Sequence, residues 1–295
     1  GLRPVRPPHP LGPPVKLGFK TLPQHTDWPR LLEIWAAVDD DERYASAWVF
    51  DHFYPIYGDT SGPCLESWVT LTALAQATER VRVGSMVNGA PYRHPAVFAN
   101  MAASLDIVSD GRLELGIGAG WNEEEANAYG IDLGTLTERF DRLEEYLTCV
   151  TGLLTDEVTD FDGEHYRLAD ARNEPKPVQQ PRPPIVIGGA GPKRTLPIVA
   201  RWADHWNHPG GAADDLAGPI GRLRECCAAI GRDPAEIEIS THLIVGATVE
   251  PAALASQAET YVAVGVDHLI VYPMDTGHGP ELVGSAADAL EPLLD

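Results

Sequence analysis

Short β-branched apolar runs alternate with amphipathic stretches of helical period along almost the whole chain. The runs fall at 15–19, 47–50, 81–87, 113–117, 185–187, 204–206, 237–245 and 268–272. Helix-like segments follow near 27–38, 66–78, 95–108, 136–154, 192–202, 214–230, 250–264 and 279–293. Apolar runs this short read as buried strands, and a 3.6-residue apolar period reads as a helix laid on a core. Strand followed by helix, repeated eight times, is the pattern of a (β/α)8 TIM barrel, with a doubly wound open sheet as the alternative. Local punctuation agrees with these boundaries. Pro95 suits a first helical turn, and Gly111 suits the left-handed residue that ends 95–108. Asp214 is placed to cap 214–230, and Gly231 to close it.

The rhythm breaks at about 155–184. Phe161-Asp162-Gly163-Glu164 reads as a turn, with Tyr166 and Leu168 beyond it. Pro175, Pro177, Pro181, Pro183 and Pro184 exclude a helix there. This segment is expected to be an insertion before the fifth strand, carried on one barrel domain spanning 15–295. The proline-rich stretch 1–14 is expected to be an extended arm. A chain of 295 residues is long enough for a single large core.

A net charge of −21 disfavours a nucleic-acid partner and an anionic membrane surface, both of which call for clustered Lys and Arg. No apolar run reaches the roughly 20 residues needed to span a bilayer, and 1–14 has no apolar core of a secretory signal. Cys64, Cys149, Cys226 and Cys227 form no paired metal-binding spacing, and Cys226 and Cys227 fall side by side on a helix. Reduced thiols, no bound metal and a cytoplasmic location are the expectation.

Barrel chemistry gathers where strands end. The second strand ends in Asp51-His52-Phe53, and a histidine there can give or take a proton near neutral pH. A buried structural histidine is the competing reading. The third strand runs through Met86-Val87 into Asn88-Gly89. The fourth ends in Gly116, Gly118 and Gly120, which either admit a ligand to the backbone or allow tight packing. It is not a dinucleotide fingerprint, because Trp121 stands where that register needs glycine. The fifth ends in Gly188-Gly189-Ala190-Gly191, followed by Lys193 and Arg194, and opens a helix in the manner of a phosphate cradle. A Walker loop, a GxSxG elbow and an HExxH pair are all absent. His165, His205, His208, His242, His268 and His278 lack metal-ligand spacing. Glu144/Glu145 and the run Glu123, Glu124, Glu125 are expected on solvated helix faces.

Five stretches taken in order resemble one family. They are WVFDHF (48–53), LESWVTLTALAQAT (65–78), YRHPAVFANMAASLDIVSDGRLELGIGAGWNEEE (92–125), FDGEHYRL (161–168) and PPIVIGGAGPKRTLPIVARWADHWN (183–207). Together they resemble the luciferase-like (bacterial luciferase) superfamily, in the branch that uses the deazaflavin coenzyme F-420 (F420). The resemblance implies a barrel with the cofactor at its C-terminal mouth. It places Asp51 and His52 beside the ring, and Met86 and Val87 at a non-proline cis bulge behind it. Asn88, Gly118, Ala119 and Gly120 join the cofactor contacts, and Gly188, Gly189, Ala190 and Gly191 hold the phosphate. His52 is implied in proton transfer or substrate polarisation.

Two positions depart from the family. Arg43-Tyr44-Ala45 replaces a usual Gly-Phe-Asp, and Trp121 stands where one branch has a catalytic glutamate, so that branch's sugar-phosphate chemistry is not carried over. Strand-end geometry adds His25, Tyr57, Trp121, Asn207, His208 and Tyr272 as a substrate pocket. Deazaflavins activate oxygen poorly, so hydride transfer to or from a small organic substrate is the leading expectation. An FMN-dependent monooxygenase supplied by a separate reductase is the alternative, and a non-catalytic cofactor-binding protein is the second. The resemblance also implies a homodimer.

Overall fold

The computed structural model describes residues 15–246, 250–274 and 277–294; the expected arm at 1–14 lies outside them. In chain order the elements begin β1 (Lys16–Lys20), α1 (Trp28–Asp40), β2 (Tyr44–Val49), α2 (Ser67–Gln76), β3 (Arg82–Ser85) and β4 (Asn88–Gly89). There follow α3 (Pro95–Val108), β5 (Leu113–Gly118), α4 (Glu123–Ala128), α5 (Leu136–Thr155), β6 (Thr159–Asp162) and β7 (Arg167–Ala171). The rest are β8 (Ile185–Gly188), α6 (Thr195–Trp202), β9 (His205–His208), α7 (Ala213–Ile230), β10 (Glu238–Val245), α8 (Pro251–Val264), β11 (His268–Pro273) and α9 (Glu281–Leu294).

The parallel strands β3, β2, β1, β11, β10, β9, β8 and β5 pair in that order, and β3 pairs with β5 to close an eight-stranded barrel. The open-sheet alternative is therefore excluded. The third strand is not continuous as expected. It stops at Ser85 and resumes as the two-residue β4, which pairs with β5 at Ile117 and Gly118. Between the two pieces lies the Met86–Val87 peptide, which is cis as the family resemblance implies.

Most helix boundaries follow their caps. Pro95 opens α3, Gly111 and Gly231 adopt positive φ, and Glu66 caps α2 by accepting the Val69 amide at 2.7 Å. Asp214 does not cap α7. The cap residue is Ala212, whose amide is taken by the Asp215 carboxylate at 3.1 Å. The sixth strand is also displaced, to His205–His208, because Asp204 is spent at the strand entry accepting the Ile185 amide.

The insertion is an antiparallel β6–β7 hairpin that pairs with no barrel strand. Its turn is held by Glu145 on α5, which accepts the amides of Glu164, His165 and Tyr166 at 2.8, 2.9 and 3.0 Å. Glu145 is thus a structural acceptor and not a solvated charge. All four cysteines are free thiols; Cys226 and Cys227 are both buried in the core under α7. Among the described residues no helix is long and apolar enough to cross a membrane.

Strand periodicity sends alternate residues inward, and the barrel interior is layered. At the N-terminal end His205 donates to Glu114 at 3.0 Å, and its other nitrogen meets Ser240 at 2.7 Å. His268 donates to Glu238 at 2.7 Å and meets Ser46 at 2.9 Å. His205, Glu238 and His268 approach closely enough for a metal ion, a juxtaposition that sequence spacing could not show because three strands supply it. Both nitrogens of each ring already have protein partners, so the cluster is complete as a hydrogen-bond network. Above it Trp48, Met86, Val186 and Ile270 form an apolar plug.

The polar layer should make the fold acid-sensitive. Burial alone would raise the Glu114 carboxyl. The bond from His205, its charge and that of Arg82 outweigh burial and hold it at about 2. A carboxylate depressed on folding stabilises the native state above its ordinary value of 4.5, and that stability is lost as pH falls from there through about 2. The loss is on the order of 3 kcal/mol. Urea midpoints measured against pH should fall across this window, and Glu114→Gln should remove that part of the fall.

Candidate active site

Above the apolar plug a cavity of about 520 Å³ opens at the C-terminal ends of the strands. Its floor is the Met86–Val87 bulge. The Val87 side chain lies over both Gly118 and Gly188. A Cβ at Gly118 would come within 2.7 Å of a Val87 methyl, and one at Gly188 within 3.3 Å. These two glycines are small so that the bulge can seat, which leaves an apolar floor at mid-barrel.

One wall carries a histidine–carboxylate dyad. The His52 Nδ1 lies 2.7 Å from the Glu125 carboxylate, which also accepts the Tyr92 hydroxyl at 2.9 Å and the Phe53 amide. Glu125 is fully buried. Burial pushes its carboxyl up, but the bonds from His52, Phe53 and Tyr92 outweigh that and keep it below the ordinary range. An ionised Glu125 requires the proton of His52 on Nδ1, which leaves Nε2 as the reactive nitrogen. Phe50 and Trp121 pack edge-on against the ring, with centroids 5.1 and 5.5 Å away, and hold its plane. Asn122 places Glu125 by capping α4, accepting the Glu125 amide at 3.2 Å.

Asp51 does different work. Its carboxylate oxygens meet the Arg93 guanidinium at 2.7 and 3.0 Å and the Gly89 amide at 3.1 Å. Arg93 reaches on to Glu66 at 2.6 Å. Burial raises the Asp51 carboxyl above its usual range against the pull of Arg93. Asp51 therefore braces the β2 and β4 loops together. Asn88 is likewise committed, accepting from Trp68 at 2.7 Å and donating to Gly116 at 2.6 Å.

At the β8 end the glycine-rich turn is only partly free. The Gly189 amide donates to Asn207 at 3.0 Å, and its φ of +107° demands glycine. Gly188, Gly189 and Thr195 line the cavity, whereas Ala190 and Gly191 do not. Opposite them α5 brings Arg139, 8% exposed, with its Nε buried and unpartnered and its Nη2 on Glu123 at 2.6 Å. On the β1–β10–β11 side Lys20 and His242 line the wall with Tyr272.

Residues 16–288 match the sequence profile of the luciferase-like monooxygenase family. The chain belongs to this family. Among its relatives, the Mycobacterium bovis protein "Uncharacterized protein Mb0978c" is 36% identical over 188 residues, 61% of this chain and 64% of that protein. The chain thus spans slightly less than two thirds of that relative. The F420-dependent glucose-6-phosphate dehydrogenase of Kineococcus radiotolerans is 32% identical over 244 residues, 82% of this chain and 71% of the enzyme. In fold the chain is similar to an F420-dependent secondary alcohol dehydrogenase solved with an F420-acetone adduct. The TM-score is 0.82 at 20% identity, over 94% of this chain and 99% of that one.

The luciferase-like resemblance placed most of the expected cofactor residues on the cavity: Asp51, His52, Met86, Val87, Asn88, Gly118, Ala119, Gly120, Gly188 and Gly189 all line it. Of the expected pocket residues, Tyr57, Trp121, Asn207 and Tyr272 line it and two do not. His25 lies in the loop after β1, with its Nε2 on the Tyr57 carbonyl at 3.1 Å. His208 falls on the Trp206 side of β9, its ring 5.9 Å from that indole, because a strand turns successive residues to opposite faces. Sequence reasoning missed Glu125, Tyr92, Arg93, Arg139, Lys20 and His242. Glu125 was expected on a solvated face with Glu123 and Glu124, which are indeed exposed.

Proposed function

We propose that this chain is an oxidoreductase that moves a hydride between coenzyme F420 and a small organic substrate. The observation that carries the reading is the buried Glu125–His52 dyad presenting Nε2 to a cavity with an apolar floor. The residues present fit a deazaflavin. Val87 offers an apolar seat to a planar ring. Arg139, with its orphaned Nε, suits an anionic tail near Thr195 and the β8 turn. When bound, the coenzyme supplies the two-electron chemistry.

The chain's own residues orient and move protons. His52 Nε2 takes or gives the proton that accompanies the hydride. Glu125 fixes the tautomer and stabilises the imidazolium when it forms. Tyr92 and the Phe53 amide hold Glu125 in place. The aromatic rim of Trp121 and Tyr57 narrows the mouth against water. The relative from Kineococcus supports the coenzyme, while Trp121 at the position of a sugar-phosphate branch's glutamate argues for a different substrate.

Protein made in a host supplying both flavins, then titrated with each, tests the reading. Tighter binding of F420 than of FMN is expected, and equal or tighter FMN binding would overturn it. Arg139→Met should weaken F420 about 10- to 100-fold, the worth of a charge-assisted bond. Unchanged affinity in that variant would remove Arg139 from the site.

A further inference from the structure

One wall of the cavity has no part in the dyad or the anionic end. Lys20 and Tyr272 come from the ends of β1 and β11 and His242 from the middle of β10, strands that are neighbours in the barrel. Lys20 and His242 are 5% and 6% exposed. The Tyr272 ring lies against both. Lys20 Nζ is 4.4 Å from its centroid, and the His242 ring centroid is 4.8 Å away. The Tyr272 hydroxyl is engaged by Tyr57. Among the described residues no carboxylate pairs with Lys20, and burial drives its ammonium down to about 7. His242 Nε2 is buried with no hydrogen-bond partner. Native proteins seldom leave such atoms unmatched, and where they do a ligand or water completes them.

The tautomer of His242 follows from its other nitrogen. Nδ1 lies 3.3 Å from the Pro209 carbonyl, which can only accept, so Nδ1 carries the proton. Burial and then the Lys20 charge hold the imidazole well below its ordinary value, so it is neutral and Nε2 offers a lone pair. The wall therefore presents one donor and one acceptor, both packed against the same Tyr272 ring. A carbonyl or carboxylate would satisfy Lys20 but turn its lone pairs on Nε2. A protonated amine would satisfy Nε2 and repel Lys20. A hydroxyl serves both, giving its proton to Nε2 and accepting from the ammonium.

We propose that Lys20 and His242 form a subsite for a hydroxyl group of the substrate. Calling the occupant a substrate rests on the redox reading above; the subsite itself does not. The test uses the full chain with 15N-labelled histidine, titrated with cyclohexanol, methylcyclohexane and cyclohexanecarboxylate, first alone and then with F420 bound. Cyclohexanol should shift the His242 Nε2 resonance as an unprotonated acceptor, and methylcyclohexane should not. His242→Phe should weaken cyclohexanol about fivefold and Lys20→Met about tenfold or more, with methylcyclohexane no weaker in either. The wild-type spectrum carries the test should either variant fold poorly.

A silent His242 resonance would overturn the proposal. So would cyclohexanecarboxylate binding more tightly than cyclohexanol with His242 protonated, which marks an anion site. A His242 shift produced by F420 alone, with cyclohexanol then without effect, would assign the hydroxyl to the coenzyme and overturn the substrate assignment. Hydride transfer is scored separately. The expected shifts without deazaflavin chemistry keep the subsite and sink the redox reading; deazaflavin turnover without the shifts does the reverse.

Discussion

Replacing His52 with alanine is expected to slow turnover about 10²- to 10⁴-fold, the usual worth of a positioned acid–base group. F420 affinity should stay within roughly tenfold, because the anionic end of the cavity is built from β8, α5 and α6 and not from the β2 loop. The fold should survive, since Glu125 keeps the Phe53 amide and the Tyr92 hydroxyl. Single-turnover hydride transfer and coenzyme titration on the same variant separate the roles. Near-normal transfer would eliminate His52 as the proton-transfer group. Loss of binding and folding together would make it a packing histidine.

Lys20→Met should stabilise the protein while it impairs recognition. A lysine that titrates at about 7 when folded and 10.5 when unfolded holds fewer protons in the native state between those values. Wild-type stability should therefore rise with pH through that window, and the full penalty is present below it. Each pH unit of the difference is worth about 1.4 kcal/mol, so removing the charge near pH 7 should add on the order of 3–5 kcal/mol. Urea unfolding of both proteins at pH 7 and pH 10 measures it. The gap between them should be wide at the lower pH and narrow at the higher. A variant no more stable than wild type would mean that the ammonium has a compensating partner. Such a cost, kept inside the barrel with no carboxylate beside it among the described residues, is what functional sites impose on stability.

The barrel was legible because strands buried on both faces leave unbroken apolar runs, and the 3.6-residue apolar period is clear in α1, α5, α6, α7 and α9. The site was legible only where chemistry coincided with a strand end. His52 announced itself in that way. Glu125 did not, because three consecutive acids in the first turn of a helix are what the helix dipole favours in solvent. The signal that could have found it is the Asn122 cap. It sets Glu125 at the third helical position, from which a side chain can turn back toward the barrel.

His242 was hidden inside an apolar run, yet the period of two puts Ser240, His242 and Ile244 on one face of β10, and the first two are polar residues facing the barrel interior. The same rule, applied to β9, would have separated Asn207 from His208. Ala190 and Gly191 lie off the cavity lining for a different reason. A glycine-rich turn reads alike whether its amides face the ligand or the neighbouring strand, and here Gly189 spends its amide on Asn207.

The clamp in which Asp51 takes the Gly89 amide and the Arg93 guanidinium, with Arg93 reaching on to Glu66, makes these positions depend on one another. Loss of Arg93 leaves the buried Asp51 carboxylate without its ion partner, at roughly 3–5 kcal/mol, whereas loss of Asp51 leaves Arg93 still paired with Glu66. A redesign of this barrel's mouth that removes Arg93 must remove Asp51 with it, so the loops after β2 and β4 behave as one exchangeable piece.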